Sequence, residues 1–206
     1  MVARSKWRMS EDGAHPSGLI GPNAILQTLP VLDELLGPER RQTLVERAGI
    51  ANLPDGAQMI PEAHAARLHR QIRLDAPSSA SKISAQAGVA TANYILANRI
   101  PRAAQMVLYR LPAGPAARLL SRAIGNHAWT FAGSGEFTVL DPWRFRIKNN
   151  PLIRDETSSS CLCSWHAAVF SRLYQALVTS ECSCREISCG AQADCSCCQF
   201  EILRSC

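Results

Sequence analysis

The sequence predicts an α+β fold: a helical N-terminal part followed by a β-β-α-β-β unit with an antiparallel sheet. Two observations carry that expectation. Between Gly21 and Gly135 apolar residues recur at helical spacing and are punctuated by proline, whereas after Gly133 they alternate with period two. A third observation marks the second part chemically, because all nine cysteines lie between Cys161 and Cys206. With 206 residues, 47% of them hydrophobic and 19% charged, the composition is that of a globular chain. A chain of this size buries roughly 70% of its unfolded surface.

Residues 1–18 are polar, contain Gly and Pro, and are expected to form a flexible arm. Residues 19–132 form the helical region. Pro22, Pro38, Pro61, Pro101 and Pro115 each precede a run with helical spacing, where the missing amide hydrogen costs little. Leu26, Leu29, Leu32 and Leu36 make an amphipathic stripe, and Pro30 inside it is expected to kink the helix. Residues 41–48, 64–74, 81–99 and 116–131 carry similar spacings, for five or six helices in all.

Residues 133–206 form the α+β unit, packed with the helices into one compact domain. Residues 136–141 and 144–148 alternate apolar with polar around Pro142-Trp143, a hairpin signal. Phe145 and Ile147 face the core, and Arg144, Arg146 and Lys148 face outward. Trp165, Val169, Leu173 and Leu177 then mark a helix, and residues 181–189 and 197–203 read as two short strands.

Composition also excludes functions. The net charge of +5 is spread along the chain, with Arg40-Arg41 the one adjacent basic pair, so nucleic acid is not an expected partner. A mild basic excess suits an anionic small molecule or an acidic membrane surface equally. No apolar stretch approaches the ~20 residues of a transmembrane helix. The N-terminus lacks the apolar core of a secretory signal. The expected location is cytoplasmic, peripheral at most to a membrane. Gly133-Ser-Gly135 precedes a strand, the reverse of a dinucleotide-binding turn, and a phosphate-binding loop motif is missing, so the sequence carries no nucleotide cofactor motif.

His64 and His69 are about 140° apart around a helix and cannot share a metal; both read as ordinary, partly exposed residues. His127 and His166 lie beside Trp129 and Trp165. An imidazole in such a setting either ligates the metal of a tetrapyrrole or is a hydrogen-bonded structural histidine. The cysteines admit three readings: zinc ligands, free thiols, or a redox-active set. Cys182 and Cys184 point to one face of a strand, as do Cys195 and Cys197 if that segment is extended, with Cys198 on the other side.

Residues 186–202, with Glu186, Cys189, Ala191, Cys198 and Phe200 in the pattern Glu-x-x-Cys-x-Ala followed by Cys-x-Phe, resemble the 4-vinyl reductase domain family of bacteriochlorophyll-biosynthesis proteins (the BchJ type). The Cys163–Phe170 helix, the stretch from Phe145 to Pro151 and the Gly21-Pro-Asn-Ala start are similar to the same family. Ala193 departs from it, standing where the family has glycine. The resemblance implies a small-molecule-binding fold related to haem-nitric-oxide-binding domains and to a subunit family of vesicle-tethering complexes. It implies Cys163, Cys189, Cys197 and Cys198 as ligands of a structural zinc. It also implies a role at the 8-vinyl reduction of divinyl protochlorophyllide, through binding or delivery of the magnesium tetrapyrrole or as the reductase itself with an external electron donor. Arg144, Arg146 or Lys148 would then meet the pigment's carboxylates, with His127 or His166 at its metal and other enzymes of the pathway as partners.

Overall fold

A computed structural model describes residues 18–204; apart from Gly18, the expected arm lies outside them. The helical half runs β1 (Leu19–Ile20), α1 (Asn23–Leu26), α2 (Leu29–Leu36), α3 (Pro38–Arg47), β2 (Ile60–Pro61), α4 (Glu62–Asp75), α5 (Ala80–Asn98), α6 (Arg102–Arg110), α7 (Ala113–Asn126) and α8 (Trp129–Ala132). It continues into β3 (Glu136–Asp141), β4 (Arg144–Lys148), a 3-10 turn (Pro151–Ile153), α9 (Ser164–Leu177), β5 (Cys182–Ser188) and β6 (Cys197–Arg204).

The prolines set the helix starts. Pro22, Pro61 and Pro101 are N-cap residues, and Pro38 is the first residue of α3. Three expectations need correction. Pro30 does not kink α2, because the helix begins at Leu29 and proline in the first turn removes no internal hydrogen bond. Pro115 lies inside the first turn of α7, which Pro112 caps. The single helix expected over 116–131 also divides at His127, where φ of −114° leaves the helical region. Eight helices therefore precede the large sheet among the described residues, two of them a single turn long.

The large sheet is antiparallel, in the order β3-β4-β6-β5. Its register stacks the inner residues in rows: Phe137 opposite Ile147, Phe145 opposite Phe200, and Ile147 opposite Cys198. A small antiparallel pair, β1 with β2, sits apart in the helical half.

Helix α9 is covered on both sides, by α5 and by the sheet. Both of its stripes are therefore buried: Trp165, Val169, Leu173 and Leu177 on one, His166, Phe170 and Tyr174 on the other. Small residues on α5 allow the close approach. A Cβ at Gly88 would lie 2.4 Å from the carbonyl oxygen of Trp165. Under the helices, Phe170 packs against Phe145 and Phe200 with ring centroids 5.0 and 5.4 Å apart.

Polar links tie the two halves together. Glu62, at the start of α4, accepts from the Ser134 amide and hydroxyl (2.7 Å each) and from Arg154 (2.9 Å). Arg73 of α4 pairs with Glu156 and donates to the Leu152 carbonyl.

Candidate metal centre

Two strands, a loop and a helix start bring four donor side chains together. Cys163 is the N-cap of α9, Glu186 stands on β5, Cys189 follows the end of β5, and Cys198 is on the inner face of β6. One ligand atom from each lies within 4.8 Å of those of the other three. The β5–β6 register shifts between Glu186 and Ser188, so regular alternation ends there and Cys189 turns back toward Glu186.

The three cysteines are almost inaccessible, at 2%, 0% and 0% exposure in sequence order. The sulfurs of Cys163 and Cys198 are 3.4 Å apart. Four N–H contacts point at the cluster. Asn150 Nδ2 donates to Cys163 Sγ (3.3 Å) and Cys198 Sγ (3.7 Å), the Leu162 amide to Cys189 Sγ (3.4 Å), and the Gly190 amide to Cys198 Sγ (3.5 Å). Asn150 is oriented in turn by accepting from the Leu152 amide. Glu186 Oε2 accepts from the Cys163 amide at 2.7 Å, and Oε1 is buried without a hydrogen-bond partner.

Hydrogen bonds and burial shift the proton affinities of the cluster in opposite directions. The thiols of Cys163 and Cys198 donate to Cys189 and hold its pKa far below the usual thiol range. The same hydrogen bonding pushes Cys163 up, and burial adds to it. Cys198 rises to about 12 despite its bond with Cys163, because Cys189 and burial outweigh that bond. Burial, and then the Cys189 charge, push Glu186 up to about 8.

This donor set suits zinc. Zinc binds thiolates at about 2.3 Å, so tetrahedral sulfurs lie about 3.8 Å apart, a small adjustment from the spacing seen. The unpartnered carboxylate oxygen would supply the fourth donor, and N–H groups aimed at the sulfurs are the outer support that metal thiolates use. A cation held by four protein ligands has no open position for a substrate, which is the structural type of site. A polar cleft of about 450 Å³ abuts the cluster, with Asn150, Gly190 and Cys198 in its wall.

The structure unites Cys163, Cys189 and Cys198 but not Cys197. Strand alternation turns Cys197 to the outer face, where Gln199 Nε2 lies 3.7 Å from its sulfur. Glu186 takes the fourth place. The signal for it was in the sequence, since Glu186 opens the Glu-x-x-Cys motif. Cys195 is in the loop before β6 and not on a strand, so it forms no strand pair with Cys197.

The histidines separate. His166 is 1% exposed, enclosed by Trp165, Phe131, Phe170 and Phe200, with Nε2 3.3 Å from the Phe131 carbonyl and Nδ1 unpartnered. His127 is exposed at the end of α7, and its Nδ1 is 2.9 Å from the Ala123 carbonyl. His69, expected to be partly exposed, is 2% exposed instead; Nε2 meets the Ala24 carbonyl at 3.1 Å, and the hydrogen bond makes that burial tolerable.

Arg144, Arg146 and Lys148 share the outer face of β4. Arg144 is paired with Asp141 at 2.6 Å, Lys148 lies 3.9 Å from Glu136, and Arg146 is half-buried with an unpartnered Nε. The helices carrying His127 and His166 pack on the inner face of the same sheet, so the sheet stands between these histidines and the arginines.

No family model matches the chain. It is similar to the bacteriochlorophyll synthase 23 kDa chain of Cereibacter sphaeroides, 45% identical over 186 residues that cover 89% of this chain and 90% of the relative. The protein of the same name from Rhodobacter capsulatus is 45% identical over 174 residues, covering 84% and 81%. Among solved structures, the Fe(II) unliganded H-NOX protein from K. algicida matches with a TM-score of 0.55 at 11% identity, covering 90% of this chain and 97% of that one. A structure from work on the function of heme distortion in the H-NOX family matches with a TM-score of 0.55 at 8% identity, covering 91% and 96%. At such identities the likeness is one of fold.

Proposed function

The chain belongs to the family of the bacteriochlorophyll synthase 23 kDa chains, and from that premise we propose how it serves bacteriochlorophyll biosynthesis: it binds a magnesium tetrapyrrole and holds or delivers it at the 8-vinyl reduction of divinyl protochlorophyllide. The observation that carries this reading is the fold. The chain shares it, over nine-tenths of its length, with H-NOX proteins whose structures are described by their heme, itself a metallated tetrapyrrole. Family membership supplies the pathway, and the Glu186-to-Phe200 motif supports the step.

His127 is the better placed of the two histidines for such a ligand. With the Nδ1 proton donated to the Ala123 carbonyl, the Nε2 lone pair is directed away from the helix at an exposed position. His166 would reach a macrocycle only if the aromatic packing around it opened. Arg146, half-buried on the other face of the sheet, offers its guanidinium to a carboxylate by charge-assisted hydrogen bonding. The two sites lie on different elements and are separable by mutation. In the same reading, Cys163, Glu186, Cys189 and Cys198 hold a structural zinc that ties the start of α9 to β5 and β6. Contacts with other enzymes of the pathway complete delivery.

Titration of the purified chain with divinyl protochlorophyllide is expected to give a saturable absorption shift at micromolar concentration. His127→Ala should weaken it at least several-fold, whereas Arg146→Gln should do so only if the pigment lies on the outer face. No saturable shift would sink the binding reading. Conversion of the vinyl group to ethyl by the chain alone, with NADPH or reduced flavin under anaerobic conditions, would replace it with the reductase reading. About one zinc per chain is expected without chelator, and fewer than ~0.5 would refute the zinc assignment.

A further inference from the structure

Acidic residues are distributed very unevenly. Residues 76–135 contain none of the 17 Asp and Glu of the chain, yet they carry Lys82, Arg99, Arg102, Arg110, Arg118 and Arg122. The five arginines are all exposed. No ion pair among the described residues involves Arg102, Arg110, Arg118 or Arg122.

The same segment exposes carbon. Four of the ten large hydrophobic side chains exposed among the described residues fall within it at α6 and α7: Met106 (56%), Val107 (57%), Tyr109 (77%) and Leu119 (51%). Leu108 is the one buried residue of α6. The helix is nonetheless held in place, because Gln105 Nε2 donates to the Leu96 and Ile100 carbonyls at 2.7 and 2.9 Å. It joins α7 through two residues, Leu111 and Pro112.

On α6, Arg102, Met106 and Arg110 follow one another at i, i+4 and i+8, with Val107 on the neighbouring stripe. On α7, exposed Arg118 and Arg122 flank exposed Leu119. Cations and apolar groups are therefore interleaved rather than segregated. The headgroup region of an anionic bilayer satisfies both within the reach of one side chain: arginine meets phosphate while methionine, valine and leucine enter the acyl boundary. Tyrosine is at home in that layer. No helix among the described residues is long and apolar enough to cross a membrane, so contact of this kind is peripheral.

We propose that the exposed faces of α6 and α7, carrying Arg102, Met106, Tyr109, Arg110, Leu119 and Arg122, form a docking surface for an anionic phospholipid membrane. The surface depends on none of the residues assigned to pigment or zinc, and its test needs neither.

The test is flotation of the full chain with vesicles of phosphatidylcholine alone, or of phosphatidylcholine with one-third phosphatidylglycerol. Binding is expected to the anionic vesicles and to weaken as salt is raised. Arg102→Gln and Arg110→Gln should each weaken it about five-fold. Met106→Ser with Tyr109→Ser should also release the chain, and as exposed positions these should leave the circular dichroism spectrum unchanged. Equal recovery with neutral vesicles, no recovery with either, or affinity unaltered in both sets of variants would overturn the proposal. Self-association abolished by the Met106/Tyr109 pair, in a chain that ignores vesicles, would overturn it in favour of a second copy as the occupant.

Discussion

Asn150 connects two sulfurs of the cluster to the backbone that orients them. Its side-chain amide donates to Cys163 and Cys198 while its oxygen accepts from Leu152. An N–H donor stabilises negative charge on the sulfur it meets, so the amide supports both sulfurs in the thiolate form that binds metal. Asn150→Ala should lower zinc affinity about 10- to 100-fold in chelator competition, the usual cost of removing an outer support to a metal site. The cysteines offer a sharper comparison. Cys198→Ser should lose the metal, whereas Cys197→Ser, one residue away and on the opposite face of β6, should retain it. Equal loss from both would restore Cys197 to the ligand set and displace Glu186.

At the level of elements, the contact between α5 and α9 rests on the absence of a side chain at Gly88. A Cβ there would lie 2.4 Å from the Trp165 oxygen and 2.8 Å from the Ala168 Cβ. Backbone cannot yield as a flexible side chain does, so the helices must separate. Gly88→Ala is therefore expected to destabilise the fold by about 1–3 kcal/mol, although alanine is the better helix former. A urea-denaturation midpoint at or above that of the parent would show that the helices part freely. The same contact sets the position of Cys163, because α9 carries that residue at its N-cap. Weaker zinc retention in Gly88→Ala would show that the helix pair reaches the cluster.

Across the whole molecule, pH acts through buried histidines. Burial, with Arg73 adding repulsion, lowers the pKa of His69 to about 3, and burial lowers that of His166 to about 4. Both folded values lie below the ordinary 6.5. The unfolded chain therefore binds protons below pH 6.5 that the folded chain refuses, and stability falls as pH drops from 6.5 towards 4. The slope is about 1.4 kcal/mol per pH unit for each histidine. Glu186 acts oppositely in metal-free protein, since its raised value makes the folded chain the better proton acceptor above the ordinary carboxylate range. Two histidines outweigh one carboxyl. Denaturation midpoints should decline from about pH 6.5 to about pH 5, and the decline should flatten in His69→Gln and His166→Gln. A midpoint that holds level in the parent, or the same slope in both variants, would contradict this.

Local chemistry was legible in the sequence wherever the signal was local. The hairpin strands at Glu136–Asp141 and Arg144–Lys148, and helix α9 at Ser164–Leu177, announce themselves by the period of their apolar residues. Three of the four cluster residues, Cys163, Cys189 and Cys198, could be picked out through the family motif. The rest depended on distance along the chain. Whether Pro30 kinks a helix depends on where that helix starts, and whether His69 is exposed depends on α1 lying across it. Cys163 is far from Glu186 in sequence and meets it only because α9 packs onto the sheet. Cys197 and Cys198 are neighbours that the β4–β6 register sends to opposite faces. The sequence by itself determined the kinds of element and the stock of soft ligands, because periodicity and composition are properties of short segments. The tertiary structure decided that the Glu186 carboxylate, and not the Cys197 sulfur, lies beside the three other cysteines, because strand register and helix packing select the side chains that share a point in space.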